Sequence, residues 1–248
     1  GLIIANKKYA HWDTLFNPVN DGVALEKELR EHYGYETRLV TDVGIDSMYK
    51  ELRMLSAKNF SEKTQVLVYF AGHGGYDEVT HEGYLVPVDA PNYHSPKIMS
   101  SVVSYGYLLK VLNNLPAQHV MIMIDACHSG SFDPYLTTRC PAKQKGEISF
   151  STLSLFVNNS MSLKSRCFIT SGRLNTVPDG EGKNSPFMIA ILKVLKESRE
   201  KGMPTTFKAL AESKEVKFLP SNPTSGVFGF DGDPGEFFFF PKKLIPKK

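Results

Sequence analysis

Two apolar runs in this sequence end in residues able to do nucleophilic and acid–base chemistry. QVLVYF (65–70) leads into Ala71-Gly72-His73-Gly74-Gly75, and HVMIMI (119–124) leads into Asp125-Ala126-Cys127-His128-Ser129-Gly130. A thiol with its ordinary pKa of about 8.5 is mostly protonated at neutral pH, so it attacks poorly without a base. An imidazole can accept that proton and later deliver one to a leaving amine. Glycines around His73 permit close backbone approach, so the Gly74 amide can join the Cys127 amide in holding an oxyanion. Two side chains therefore suffice for acyl transfer through a thioester.

Taken singly, each residue has a commoner explanation. A cysteine after a buried strand usually fills core, and a histidine there is usually structural. The joint occurrence changes the reading: each ends a strand-like run and each is ringed by Gly or Ser. Cys127 lies 54 positions (127 − 73) beyond His73, which leaves room for a strand and a crossover helix between them. His128 is a competing base, but as the immediate neighbour of Cys127 its side chain is expected to point elsewhere. Cys140 and Cys167 have no comparable surroundings, and three cysteines make neither a disulfide framework nor a CxxC pattern. A reducing, cytoplasmic setting is expected. His73, His81, Cys127 and His128 do not have the spacing of a zinc site.

For His73 and Cys127 to meet, their two strands must be neighbours, because sites in open parallel sheets gather beyond the carboxyl ends of strands. Further strands are expected at 2–5, 39–41, 83–88, 167–171 and 236–240. Between them, 20–34 places Leu25, Leu29 and Tyr33 on one helical face and ends at Gly34. Helical patterns also cover 46–60, 104–115 and 205–219, while 185–202 has Ser185 as N-cap, Pro186 at its first position and Gly202 at its end. Helices alternating with continuous apolar strands predict an α/β domain with a mostly parallel central sheet flanked by helices on both faces. The stretch 132–165, dominated by Ser, Asn, Lys, Thr and Pro, is expected to be irregular. EFFFFP reads either as an edge strand that pairs with another chain or as a strand covered by helices.

With 248 residues, 42% hydrophobic and 22% charged, the chain suits one large globular domain. The net charge of +3, from 29 basic and 26 acidic residues, gives no reason to expect nucleic acid, and the basic tail PKKLIPKK reads as a solvated terminus. No apolar run approaches the roughly 20 residues of a membrane span, so no membrane partner is expected. The beginning, GLIIANKKYAHW, lacks the pattern of a signal peptide and starts inside a strand without Met, which suggests a fragment or a processed form.

YFAGHGG together with DACHSGSF resembles the clan of caspases, metacaspases and paracaspases, and D-A-C-H-S-G is similar to the metacaspase form. The similarity continues through LIIANKKY, LFNPVNDGVALEKEL, GYLVPVDA, CFITSGR and SPFMIAILKVL. It implies a caspase-like fold as one peptidase domain over 1–248: a large-subunit-like part (about 1–131), an intervening loop (132–165) and a small-subunit-like part (166–248). It further implies His73 and Cys127 as the catalytic pair, and Asp21 and Asp125 as the acidic lining of the pocket for the residue before the scissile bond. Two carboxylates there favour Arg or Lys. Gly22 replaces the family's usual Ala, Ala71 a small polar residue and Pro18 a pocket cysteine, so the charge logic survives while the pocket's shape is altered. Asp21 also reads as a helix N-cap, and Asp125 as an acceptor for backbone amides near the nucleophile.

The resemblance implies chemistry that requires no cofactor and leaves calcium activation open, with Asp77, Glu78 and Asp133 as candidate ligands but no EF-hand-like array. Family members are often cut where 132–165 falls, which makes Arg139, Lys143, Lys145, Lys164 and Arg166 candidate self-cleavage positions. The implied partners are a protein or peptide substrate and a regulatory domain or activator. Three rival readings remain: an inactive scaffold or adaptor, a metal-binding hydrolase, and a peptidase cleaving after Asp, for which Arg173 is the candidate pocket base.

Overall fold

The computed structural model describes residues 1–61, 63–132, 150–172, 182–229 and 235–244. Its first part runs β1 (Leu2–Ala5), α1 (Pro18–His32), β2 (Arg38–Thr41), α2 (Ile45–Ser56) and β3 (Gln65–Ala71). Then come β4 (Gly74–Asp77), β5 (Glu82–Leu85), β6 (Val103–Ser104), α3 (Tyr105–Asn113) and β7 (His119–Asp125). The remainder is α4 (Phe150–Ser162), β8 (Ser165–Thr170), α5 (Pro186–Glu200), β9 (Thr205–Thr206), α6 (Phe207–Ala211), α7 (Lys214–Lys217), β10 (Thr224–Val227) and β11 (Phe238–Phe239).

Six strands form the central sheet in the order β10-β8-β7-β3-β1-β2. All neighbours are parallel except β10, which runs antiparallel to β8. Side chains alternate across a strand, so each run feeds two cores. Ile3, Leu67, Tyr69, Met121 and Met123 pack on one face with Leu25 and Leu29 of α1 and Ile191 and Leu195 of α5. Ile4, Val68, Phe70, Ile122 and Ile124 pack on the other with Met48 and Leu52 of α2 and Leu108 and Leu112 of α3. Burial on both faces is why these strands are continuously apolar, and each large side chain buried contributes about 1.5–3 kcal/mol. The expected α/β sheet covered by helices on both faces is the observed architecture.

Several expected elements take a different form. The run 83–88 lies outside the central sheet: only its first part is strand, in β5, which pairs antiparallel with β4 and β6 in a separate three-stranded sheet. The helix expected over 205–219 begins after Thr206, whose hydroxyl accepts from the Ala209 amide, and is interrupted at Ser213, which starts α7 by accepting from the Val216 amide. EFFFF contributes only β11, paired with β9, and the covered reading holds: Phe237 and Phe239 enter the core behind α1 and α5. Gln65 secures this segment, its amide donating to the Phe238 carbonyl and accepting from the Phe238 amide.

The stretch 132–165 is not irregular throughout, because its last part forms α4. Lys164 and Arg166 are corrected as self-cleavage positions. Arg166 is buried in β8, its guanidinium donating to the carbonyls of Leu115, Ala117, Gln118 and Ser165. The bond after Lys164 is held too, since the Ser165 amide donates to the Gln118 carbonyl at 3.0 Å. The bond after Arg166 is extended but buried within the central sheet, and the bond after Lys164 is tied to the Gln118 carbonyl, so neither is presented for cleavage in this fold. Among the described residues, no helix is long and apolar enough to cross a membrane.

Candidate active site

Strands β3 and β7 are hydrogen-bonded neighbours, in register from Gln65↔His119 to Ala71↔Asp125. His73 and Cys127 each lie two residues past that last pair, at the carboxyl edge of the sheet. The two turns touch. The Gly72 amide donates to the Asp125 carbonyl at 3.2 Å, and a Cβ placed on Gly74 would sit 2.5 Å from the Cys127 carbonyl oxygen. Only glycine lets the Gly74 backbone approach the nucleophile's backbone so closely. Immediately after Cys127, His128 adopts a left-handed conformation (φ 55°), an uncommon state for a residue with a side chain. Its carbonyl accepts from both the amide and the hydroxyl of Ser131, which bends the chain into the 3-10 turn Ser129–Phe132.

His73 is held from the side away from β7. Its Nε2 lies 2.8 Å from the Asp13 carbonyl oxygen. A carbonyl only accepts, so Nε2 carries the proton and Nδ1 is the basic nitrogen. The His73 backbone amide donates to the Tyr9 hydroxyl oxygen at 2.8 Å, and the ring stands edge-on to Tyr9 with centroids 4.6 Å apart. Burial pushes the Tyr9 hydroxyl well above its usual range, so it remains a protonated hydrogen-bonding group. Trp12 leans against the imidazole at 5.3 Å.

Asp13, Tyr9 and Trp12 are contributions that sequence reasoning missed. Any residue has a backbone carbonyl, so Asp13 carries no signature. The aromatic residues in KKYAHW were the one visible signal.

The two aspartates meet on the face covered by α1 and α5. Asp21 lies inside α1, whose N-cap is Asn17, so the N-cap reading of Asp21 is corrected. Its Oδ1 instead accepts from Asn184 Nδ2 at 2.8 Å and from the Ser185 amide at 3.0 Å. Ser185 donates its hydroxyl to Asp125 Oδ2 at 2.6 Å and accepts from the Met188 amide at 3.0 Å, capping α5 as expected. One serine thus links both carboxylates to the start of a helix, whose dipole favours negative charge there. Asp21 is 1% exposed and Asp125 8%. Burial, and next the charge of Asp125, push Asp21 up from its ordinary 3.8 to about 7, against the hydrogen bonds from Asn184 and Ser185.

The other candidates fall elsewhere. Asp77, in β4, accepts from the Thr80 hydroxyl and then the Val79 amide of its own turn, which hold its carboxyl below the usual range. Among the described residues, no group of three or more His, Cys, Asp or Glu is placed to hold a metal ion. Cys167 is buried in β8 with its thiol against the Val120 carbonyl. Asp133, Arg139, Cys140, Lys143, Lys145 and Arg173 lie outside the described residues.

A model of the caspase domain matches residues 1–217. The crystal structure of caspase-1 from Spodoptera frugiperda aligns with a TM-score of 0.65, covering 99% of this chain and 90% of its own, at 14% identity. At that identity the likeness shows the fold alone, and the fold is caspase-like. The search of curated proteins gives no match.

Proposed function

The chain belongs to the caspase-domain family, a family of cysteine peptidases, and from that premise we propose that it is an endopeptidase of the metacaspase type that cleaves after Arg or Lys. The single observation that carries this reading is the Ala71↔Asp125 register, which sets the His73 and Cys127 turns side by side. The Nε2–Asp13 contact then assigns the proton-accepting role to Nδ1.

In the first half-reaction, Nδ1 takes the thiol proton and the Cys127 sulfur attacks the carbonyl carbon of the substrate. The carbonyl electron pair moves onto oxygen, where the Gly74 and Cys127 amides stabilise it. Collapse of this intermediate breaks the C–N bond, and the departing amine takes the proton from the imidazolium. Water then gives a proton to Nδ1 and attacks the thioester. Release of the acid returns the proton to sulfur. Asp13 does not react; its carbonyl positions the ring. Asp21 and Asp125 attract the cationic side chain before the scissile bond.

The test uses fluorogenic peptides ending in Arg, Lys or Asp, with and without calcium. Turnover of the Arg and Lys peptides is expected, with kcat/KM falling by at least about a thousandfold in Cys127→Ala and in His73→Ala. Folded wild type inert to all three would leave the scaffold reading standing, and preference for the Asp peptide would overturn the pocket assignment. Loss of activity to chelators, rather than to thiol alkylation, would favour a metal hydrolase. Self-processing belongs to the same reading at Arg139, Lys143 or Lys145. Identical intact masses of wild type and Cys127→Ala after activation would remove it.

A further inference from the structure

The loops after β1 and β5 clasp each other beside His73. The Ala10 amide donates to the Val88 carbonyl at 2.8 Å, and Trp12 Nε1 donates to the Pro91 carbonyl at 2.9 Å. This fixes the Trp12 indole with one side against His73 and Tyr93 at 6.1 Å between ring centroids. Tyr93 is 58% exposed and packs on His94 with ring centroids 3.8 Å apart, so it extends the aromatic surface that Trp12 begins beside the imidazole.

Strand order says where this surface stands in the reaction. Along the carboxyl edge the order is β7, β3, β1, so Cys127 comes first, His73 next and the Tyr9–Asp13 segment last. The acidic pair lies on the α1 and α5 face, with Ser185. Trp12 packs instead against the buried cluster of Tyr84, Val86, Ala90 and Val102, in and after β5. A peptide whose basic side chain reaches Asp21 and Asp125 therefore enters on one side of the dyad. The amine that takes its proton from His73, with everything following it, leaves on the other.

We propose that Trp12 and Tyr93 form a subsite for an aromatic or large apolar side chain in the first two positions after the scissile bond. The inference rests on the peptidase reading and adds a second element of substrate choice to it. Trp12 is preorganised by its bond to Pro91, and Tyr93, steadied on one side by the His94 ring, still has exposed surface from which a bound side chain can exclude water.

The experiment uses internally quenched peptides with Arg before the scissile bond and Phe, Leu, Gly or Asp in the two positions after it. Wild type should favour Phe over Gly by on the order of tenfold in kcat/KM. That ratio should fall to near one in Tyr93→Ala and be retained in Tyr93→Phe. Trp12→Phe, which keeps a ring but loses the Pro91 bond, should fall between them. Because the readout is a ratio, a general loss of rate cancels. Turnover with the same Phe-to-Gly ratio in wild type and Tyr93→Ala overturns the subsite alone. No turnover of any of these Arg peptides by folded wild type removes the reading of cleavage after Arg and the subsite with it.

Discussion

Replacing Asp21 with Asn removes a charge while leaving a hydrogen-bond acceptor in place. Asn184 and Ser185 both donate to Oδ1, and an asparagine carbonyl oxygen can receive both. In the wild type, Asp21 is lifted from 3.8 to about 7 in the folded protein. Below about pH 3.8 both folded and unfolded chains hold the proton, and the stabilisation linked to it is fully present. As pH rises the unfolded chain releases the proton while the folded chain keeps it, so stability falls until the folded group also ionises near pH 7. The interval is about three pH units at roughly 1.4 kcal/mol each, giving on the order of 4 kcal/mol. Urea unfolding of wild type and Asp21→Asn at intervals from pH 4 to 8 reads this directly. The variant should gain roughly 3–4 kcal/mol on wild type across that range. The same titration has a functional face. Ionised Asp21 beside Asp125 attracts a guanidinium, so the kcat/KM ratio of an Arg peptide to its neutral citrulline analogue should climb through pH 7 in wild type and stay flat in the variant. Parallel stability profiles for the two proteins would refute the reasoning, because they would mean that Asp21 does not titrate in this range.

Gly74→Ala should lower kcat/KM by about a hundredfold and lower the melting temperature as well, since its Cβ would push the Cys127 backbone carbonyl and displace an oxyanion donor. Unchanged turnover would show that the contact is slack. Ser185→Ala should cost roughly 3 kcal/mol in urea unfolding, from a lost N-cap and a lost bond to a carboxylate, while Ser185→Thr restores most of it. Arg166→Met should lower stability by about 3 kcal/mol or more, because four carbonyls lose a charged donor. A melting temperature equal to wild type would show that water replaces the guanidinium without loss.

The strands of the central sheet were legible because burial on both faces demands uninterrupted apolar residues, as in 65–70 and 119–124. The start of α5 was legible for a local reason: a serine side chain reaches the amide three residues on. The break in 205–219 was hidden, although Thr206 and Ser213 are capping residues, because the apolar spacing of that segment continues across it. The run 83–88 has a strand's composition, and composition does not say which sheet a strand joins. Asp21 was read as a cap because it sits where helices begin, but α1 starts earlier, at Pro18.

What the sequence by itself determined is the chemistry at hand: a thiol and an imidazole, each at the end of a strand and each beside glycine. Local pattern suffices there, since the nucleophile, the base and the backbone freedom around them are properties of residue type and spacing. What only the tertiary structure decided is the setting of those groups. The Asp13 carbonyl selects the tautomer of His73, a hydrogen bond across 164 positions ties Asp21 to Ser185, and a tryptophan near the start of the chain lines the edge past the base. These depend on burial and on approach between distant segments. Neither is written in any short stretch of residues, because a carbonyl looks alike everywhere and a carboxylate's affinity for its proton is set by what surrounds it.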